Sequence, residues 1–374
     1  MKLTNICEFH GGSQPPKSEW SSEYKDGYIR MLQIRDFTQE GRVTPEYVKI
    51  SNRLRLCTED DILIGRYGAS VGKILSGKSG AYNVAIMKAV PDTSVVRKQY
   101  LRYYFLSPNF QNYILNLGGR AAQAGFSKDD LARLEITVVS LEEQDKIVNE
   151  LSTLEKTIST KQKQLKEFDD LVKSRFIEMF GTLDLSIQGE TWLPLSDVST
   201  IFTGTTPSTK DIENWNGDIP WVTPAELSDD SFVVCDTERK ITQKGMKSKS
   251  LSLMPKNTVL LSTRAPIGKV AITGIEMCCN QGFKNFYCNN TVLNPIYLYT
   301  LLRNNSEYLN SLGTGTTFKE ISKKNASNIK VPVADISLQN EFADFVKLID
   351  KSKFVGYFTL NIFYVKSSHF HHPP

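Results

Sequence analysis

Histidine is almost missing from the body of this 374-residue chain: of four, three (His369, His371 and His372) fall in the last six residues, leaving His10. A zinc site, a Ser-His-Asp triad or a Cys-His pair has little to be built from. His10 reads as a turn residue ahead of Gly11-Gly12, and no metal ligand is assigned. The six cysteines (Cys7, Cys57, Cys235, Cys278, Cys279 and Cys288) contain no Cys-x-x-Cys pair. They read as reduced, mostly buried thiols. No apolar run approaches the roughly 18 residues needed to cross a membrane, and no leader pattern opens the chain. The expectation is a cytoplasmic protein with no membrane partner.

Catalytic signatures are missing too. Ile62–Ile74, ILIGRYGASVGKI, looks at first like a phosphate loop, but Tyr67 stands where its first glycine belongs and Ile74 where the magnesium-binding hydroxyl belongs. The nearest approach to an adenine methyltransferase motif is Asn294-Pro295-Ile296-Tyr297, which reads as an N-cap with proline at the first helical position. Pro91-Asp92 has as its only downstream Glu-x-Lys triplet Glu238-Arg239-Lys240, in a different part of the chain, and the pairing is read as chance. Glu59-Asp60-Asp61 reads as a solvated turn. No catalytic residue and no cofactor is assigned to this chain, which points to binding.

What the sequence does contain is a repeat. VLLSTRAPIGKV at Val259–Val270 returns the opening motif, with Gly72-Lys73 opposite Gly268-Lys269 at an offset of 196. LTNICEFHGGSQP (Leu3–Pro15) matches LSDVSTIFTGTTP (Leu195–Pro207), and YLRYYFLS (Tyr100–Ser107) matches YLYTLLRN (Tyr297–Asn304). Two copies are too few for a solenoid, so this is a duplicated globular unit of about 150 residues. Each copy reads as a strand, a Gly/Pro-rich loop and further strands including Ile62–Ile64 and Val259–Leu261. A helix over Tyr100–Leu115 or Ile296–Leu309 follows, then a last strand, Glu135–Val139 or Lys330–Val333. The class is α+β.

Between the copies the period changes. Ile147, Leu151, Leu154, Ile158, Lys161, Leu165, Phe168, Val172, Arg175 and Met179 are spaced 4-3-4-3, a heptad seam that calls for a partner helix. About 38 residues at 1.5 Å rise give roughly 55–60 Å of helix. Leu338, Phe342, Phe345 and Ile349 start a second such seam. After Lys353 the heptad fails in FVGYFTLNIFYVKSSHFHHPP, and the helix is expected to stop there. The resulting division is 1–141 first unit, 142–181 central helix, 182–336 linker and second unit, 337–353 a second, shorter helix, and 354–374 an atypical tail.

Charge follows the same division. Residues 1–141 hold 19 Lys/Arg against 14 Asp/Glu, residues 142–190 hold 7 against 11, and the remainder 19 against 16, giving +5, −4 and +3. Basic units flanking an acidic connector suit a polyanion held by the units. Recurring loops carry residue types that read base edges or phosphates: Gln14, Arg30, Gln33, Arg35, Arg66 and Lys73 in the first unit, Thr206, Lys210, Thr223, Arg264 and Lys269 in the second. Tyr67 and Trp221, with Trp20 and Trp215, interleave among them; Lys17, Arg120 and Lys319 complete the candidate DNA contacts.

Two basic units, each running into a heptad helix through a Leu/Ile-x-x-Gln start (SLEEQDKIVNEL and ISLQNEFADFV), together with GASVGK and RAPIGK, resemble the specificity (HsdS) subunit of type I restriction–modification systems over residues 1 to about 353. The resemblance implies two target-recognition domains, each reading half of a bipartite site in double-stranded DNA, with two antiparallel helices as spacer. It also implies modification subunits as partners, which bring S-adenosylmethionine and methylate adenine, and a restriction subunit that can join. Gly68, Gly72 and Gly268 then serve backbone geometry, and Arg66 or Lys73 touches DNA. The expected early end of the second helix departs from the family. It leaves Ile158–Met179 without a partner, with self-association as the expected consequence. Two alternatives remain open at this point: a truncated or reserve specificity protein that binds DNA without assembling, and a coiled-coil module whose units bind protein.

Overall fold

The computed structural model describes residues 1–39, 41–118, 125–187, 189–228, 231–315 and 319–369, with side chains as far as 356 except at 118 and 354. The chain divides into two compact units: Met1–Lys161 with residues from Thr359 onward, and Gln162–Phe358. The fold is the expected α+β arrangement, a unit built twice with a long helix between the copies.

In the first unit, strands order as Cys7–Gly11, Ile86–Pro91, Ile62–Gly65 and Ile74–Leu75, all neighbours antiparallel. Strand Ile62–Gly65 is apolar on both faces because two cores use it. Ile62 and Ile64 pack with Leu101, Phe105 and Phe110, while Leu63 packs with Leu32, Leu75 and Tyr82. That is the period-2 alternation of a strand, hidden in the sequence because neither side meets water. A second sheet carries Tyr28–Leu32 parallel to Gly80–Tyr82 and antiparallel to Tyr47–Lys49.

The second unit repeats the order of the first sheet's four strands and adds a fifth, Val233–Val234, parallel to the last. Ser199–Thr203, Lys284–Cys288, Val259–Leu261 and Val270–Thr273 form the matching antiparallel sheet. Trp221 and Val222 run parallel to Cys278 and Cys279 where Met31 and Leu32 run parallel to Ala81 and Tyr82. Val259 and Leu261 face one core and Leu260 the other, as in the first unit.

Several local expectations need correction. The helix expected over Tyr100–Leu115 is two, Lys98–Leu106 and Pro108–Gly118. Ser107 precedes a proline and is extended (ψ 151°), because the proline ring disfavours helical geometry before it. In the second unit the break falls at Asn305, between Pro295–Asn304 and Ser306–Ser311. His10 lies in a strand, not a turn, with its Nε2 3.1 Å from Glu8. Asp61 is no solvated turn residue, since it accepts from Lys88 Nζ at 2.6 Å. Of the last strands, Glu135 makes only an isolated bridge to Lys2, while Lys330–Val331 pairs with Leu193–Pro194.

The central helix spans Leu141–Phe180 and the distal helix Ile336–His369. The expected stop after Lys353 does not occur. The stretch to His369 contains no proline and a single glycine, and a helix already nucleated extends at little cost through aromatic and β-branched residues. Within the second unit the two helices run antiparallel. Arg175 bonds Glu341 at 3.0 Å, Asp169 accepts from Lys353 at 2.6 Å, and Leu165 lies against Gly356. Seam residues Val172 and Met179 pack on the same core as Phe342 and Phe345. The seam from Leu165 to Met179 thus has an intramolecular partner, which removes the ground for expecting it to self-associate.

Phe176, one position outside the seam, is the most deeply buried apolar residue of the central helix and packs against Phe180, Tyr297 and Phe342. Asp169 also lies 3.6 Å from Arg303, and both partners are part-exposed. Asp169→Asn should therefore cost about 1 kcal/mol in urea unfolding, less at high salt. Lys146→Ala, which removes solvent-exposed pairs with Glu142 and Glu143, should change little.

Candidate nucleic-acid interface

The glutamine of each Leu/Ile-x-x-Gln start is completely buried. Gln144 Oε1 accepts from the backbone N–H of Arg97 (2.7 Å), and its amide donates to the carbonyls of Val95 (3.1 Å) and Val139 (2.9 Å). Gln339 makes the same three bonds, from Asn294 N–H (2.9 Å) and to Val292 (3.0 Å) and Ala334 (2.8 Å). Each glutamine ties the first turn of a long helix to the start of its unit's helix Lys98–Leu106 or Pro295–Asn304. Asn294 caps the latter, accepting from Ile296 N–H, as its sequence predicts.

The opening motif is a hairpin turn. Gly65 N–H donates to Lys73 O and Gly72 N–H to Gly65 O, both at 2.9 Å; Ser262 to Lys269 O (2.9 Å) and Gly268 to Ser262 O (3.0 Å) repeat the pattern. Gly72 and Gly268 have φ of +79° and +93°, a conformation that side chains resist. The pairing also corrects the repeat. Arg66 N–H bonds Ala85 O as Thr263 N–H bonds Gly282 O, so Tyr67, not Gly68 as the offset of 196 implies, stands opposite Arg264.

The structure sorts the candidate contacts by what already holds them. Gln14, Lys17, Lys73, Lys210 and Lys319 are exposed, and Tyr67 is 42% exposed with the Arg66 guanidinium 5.0 Å from its ring. Arg66 also approaches the carbonyls of Phe126 (3.4 Å) and Val84 (3.5 Å). Arg30 pairs with the buried carboxylate of Asp36, and Arg35 and Gln33 both bond Glu46. Arg264 pairs with Glu320 at 2.9 Å, and the Lys269 ammonium donates to Leu227 O. Thr206 Oγ1 donates to Gln281 at 2.6 Å. Arg120 lies outside the described residues.

Three candidates have structural work. Gln33 and Thr223 head equivalent short helices, their backbone N–H groups each bonding a carboxylate three residues on, Asp36 and Glu226, at 2.8 Å. That is a capping box, legible as Gln-x-x-Asp and Thr-x-x-Glu. Trp221 is 2% exposed, so it is a core residue and leaves the contact set. Its indole N–H and that of Trp215 donate to Thr205 O and Ser208 O (both 3.1 Å), while in the first unit Trp20 donates to Pro15 O (3.1 Å). The tryptophans thus anchor the glycine-rich loops that carry Gln14, Thr206 and Lys210.

Sequence reasoning missed two exposed arginines beside these loops. Arg55 offers its backbone N–H to Ser13 Oγ at 3.2 Å, and Arg239 stacks on Trp215 with 3.6 Å from Cζ to the ring centre. Among the described residues no group of three His, Cys, Asp or Glu is placed to hold a metal ion. Nor is any helix there long and apolar enough to cross a membrane. Five of the six cysteines are buried, and burial pushes the Cys7, Cys279 and Cys288 thiols up to about 12.

Comparison with known proteins assigns the duplicated unit. The family model of the type I restriction modification DNA specificity domain matches residues 1–168 and again residues 190–354. The chain belongs to the type I restriction–modification DNA specificity family. Over 185 residues it is 36% identical to the MjaIX type I restriction enzyme specificity subunit of Methanocaldococcus jannaschii, across 48% of this chain and 43% of that one. With the putative MjaX specificity subunit of the same organism it shares 24% over 276 residues, across 70% and 63%. The matched stretches thus cover under two thirds of these relatives' length. The solved structure of a type I restriction–modification S subunit from M. genitalium has the same fold, with a TM-score of 0.61 and 16% identity over 99% of this chain and 94% of that one.

Proposed function

We propose that this specificity-family chain is a non-catalytic, sequence-specific DNA-binding subunit of a cytoplasmic type I restriction–modification complex. Each unit reads one half of a bipartite target through its glycine-rich loop and hairpin turn. The helices carry modification subunits, which supply S-adenosylmethionine and the adenine methylation, and a restriction subunit can join them. The observation that carries this reading is the repetition of one loop-bearing module with the same strand order, the same tryptophan-anchored loop and the same buried glutamine at its helix start. Buried thiols held protonated at neutral pH are poor nucleophiles, in keeping with a recognition role. The reserve reading stood on a distal helix ending at Lys353, whereas that helix continues to His369.

Co-expression with the methyltransferase subunit of its own operon in a methylation-free host, followed by genome-wide mapping of N6-methyladenine, tests the proposal. A bipartite motif with one fixed spacer is the expected outcome. Absence of methylation with both subunits expressed would count against it. In binding assays the affinity should fall steeply with salt, because each phosphate contact releases counterions. A flat salt response would favour units that bind protein.

A further inference from the structure

Arg239 was singled out in the sequence only within a chance triplet, and no role above uses it. Its guanidinium lies 3.6 Å from the ring centre of Trp215 and 5.5 Å from that of Trp221. The two buried indoles meet edge to face at 5.1 Å and 85°. The arginine is exposed, and no carboxylate among the described residues pairs with it. Its flat face is therefore held on a rigid platform while its N–H edges stay free. The same indoles donate to Ser208 O and Thr205 O, tying that platform to the loop of Thr206 and Lys210.

Strand pairing shows what stands there in the first unit. Trp221 N–H donates to Arg239 O (3.1 Å), as Met31 N–H donates to Glu46 O (2.8 Å). The backbone slot is the same and the charge opposite. Glu46 accepts from Gln33 and Arg35, whereas Arg239 has aromatic support and open donors. A fixed backbone with interchangeable side-chain chemistry is what a base-reading position requires when two copies of one module read different sequences.

We propose that Arg239 is a specificity-determining residue that donates in bidentate fashion to the O6 and N7 acceptors of a guanine in the half-site read by the second unit. Arginine on guanine is the pairing its fork geometry fits best, and stacking removes the rotamer freedom that binding would otherwise cost. The inference rests on the DNA-recognition reading above.

The test uses the full chain with its methyltransferase subunit on duplexes randomised one position at a time around the motif selected by the wild-type complex. Arg239→Ala and Arg239→Gln should each lose about ten- to a hundredfold of discrimination at one guanine of one half-site. The other half-site and the salt slope should stay as in wild type, with Arg239→Gln shifting preference toward adenine. An even loss of affinity over all sequences with a salt slope reduced by about one would mark a phosphate contact and overturn the proposal. Unchanged discrimination would overturn it as well. Both variants should keep the wild-type melting temperature within a few degrees, since the side chain is exposed; a folded variant with intact binding at the other half-site separates lost reading from lost structure. A wild-type complex that selects no motif would instead defeat the DNA-recognition reading itself.

Discussion

Replacing Gln144 with leucine should destabilise the first unit by about 3 kcal/mol or more, and Gln339→Leu the second unit by a similar amount. Leucine nearly preserves the volume, so cavity formation contributes little. The loss comes from three backbone groups whose partner disappears in a site where the glutamine itself is wholly buried. An unsatisfied buried donor or acceptor costs roughly 1–3 kcal/mol, and the three do not relax independently. Gln144→Glu keeps the acceptor for Arg97 N–H and loses both donors to Val95 O and Val139 O, so it should rescue little. Urea unfolding of the full chain, with hydrogen exchange at the first turn of each long helix, reads the effect. A loss below about 1 kcal/mol for both leucine variants would mean that the helix starts are held by packing alone.

The second large effect belongs to the loop glycines. A Cβ on Gly12 would lie 2.0 Å from Asn83 O, and one on Gly204 2.0 Å from Cys279 O. Both clashes are with backbone atoms, which cannot swing away as the end of a side chain can. Gly12→Ala or Gly204→Ala must push the loop off the sheet, breaking the bonds of Gly12 N–H to Ile86 O (3.1 Å) and Ser13 N–H to Tyr82 O (3.0 Å) in the first unit. About 2–4 kcal/mol is expected from overpacking plus lost hydrogen bonds, together with loss of reading by that unit's loop. Gly11→Ala is the control: its Cβ would meet only the mobile end of Arg66, at 3.3 Å, and it should unfold within about 0.5 kcal/mol of wild type. Equal melting temperatures for the Gly11 and Gly12 variants would refute the close-approach argument.

The duplication, the fold class and the heptad seam were legible because each is a long, regular pattern. Even there, counting residues misplaced Arg66, which a hydrogen-bond ladder aligns with Thr263. The end of the distal helix was misjudged because loss of the heptad signals loss of a regular seam, not loss of helix. The site was harder. Gln33 and Thr223 are polar residues in recurring loops, and sequence gives contacts and caps the same appearance unless the carboxylate three residues on is noticed. Trp221 and Val222 are adjacent yet buried in different cores, so no period-2 alternation marks the tryptophan as interior. Arg239 becomes conspicuous only when strand pairing sets it against Glu46 and the indoles beneath it come into view.

The hairpin turns differ in one more way. From Gly65 to Gly72 is seven residues, but from Ser262 to Gly268 only six, although the same bonds close both. In the longer turn Ser70 O lies 2.2 Å from where a Cβ on residue 65 would be, so that position must be glycine. The shorter turn leaves room for Ser262, whose hydroxyl donates to Pro266 O (2.7 Å) and accepts from Lys269 N–H (2.9 Å). Turn length and the residue before it are thus one coupled character. A lineage moving from one form to the other by single changes must pass through a clash if serine comes first. If the deletion comes first, it passes through a turn lacking its hydroxyl bridge, and only that order is open to gradual change.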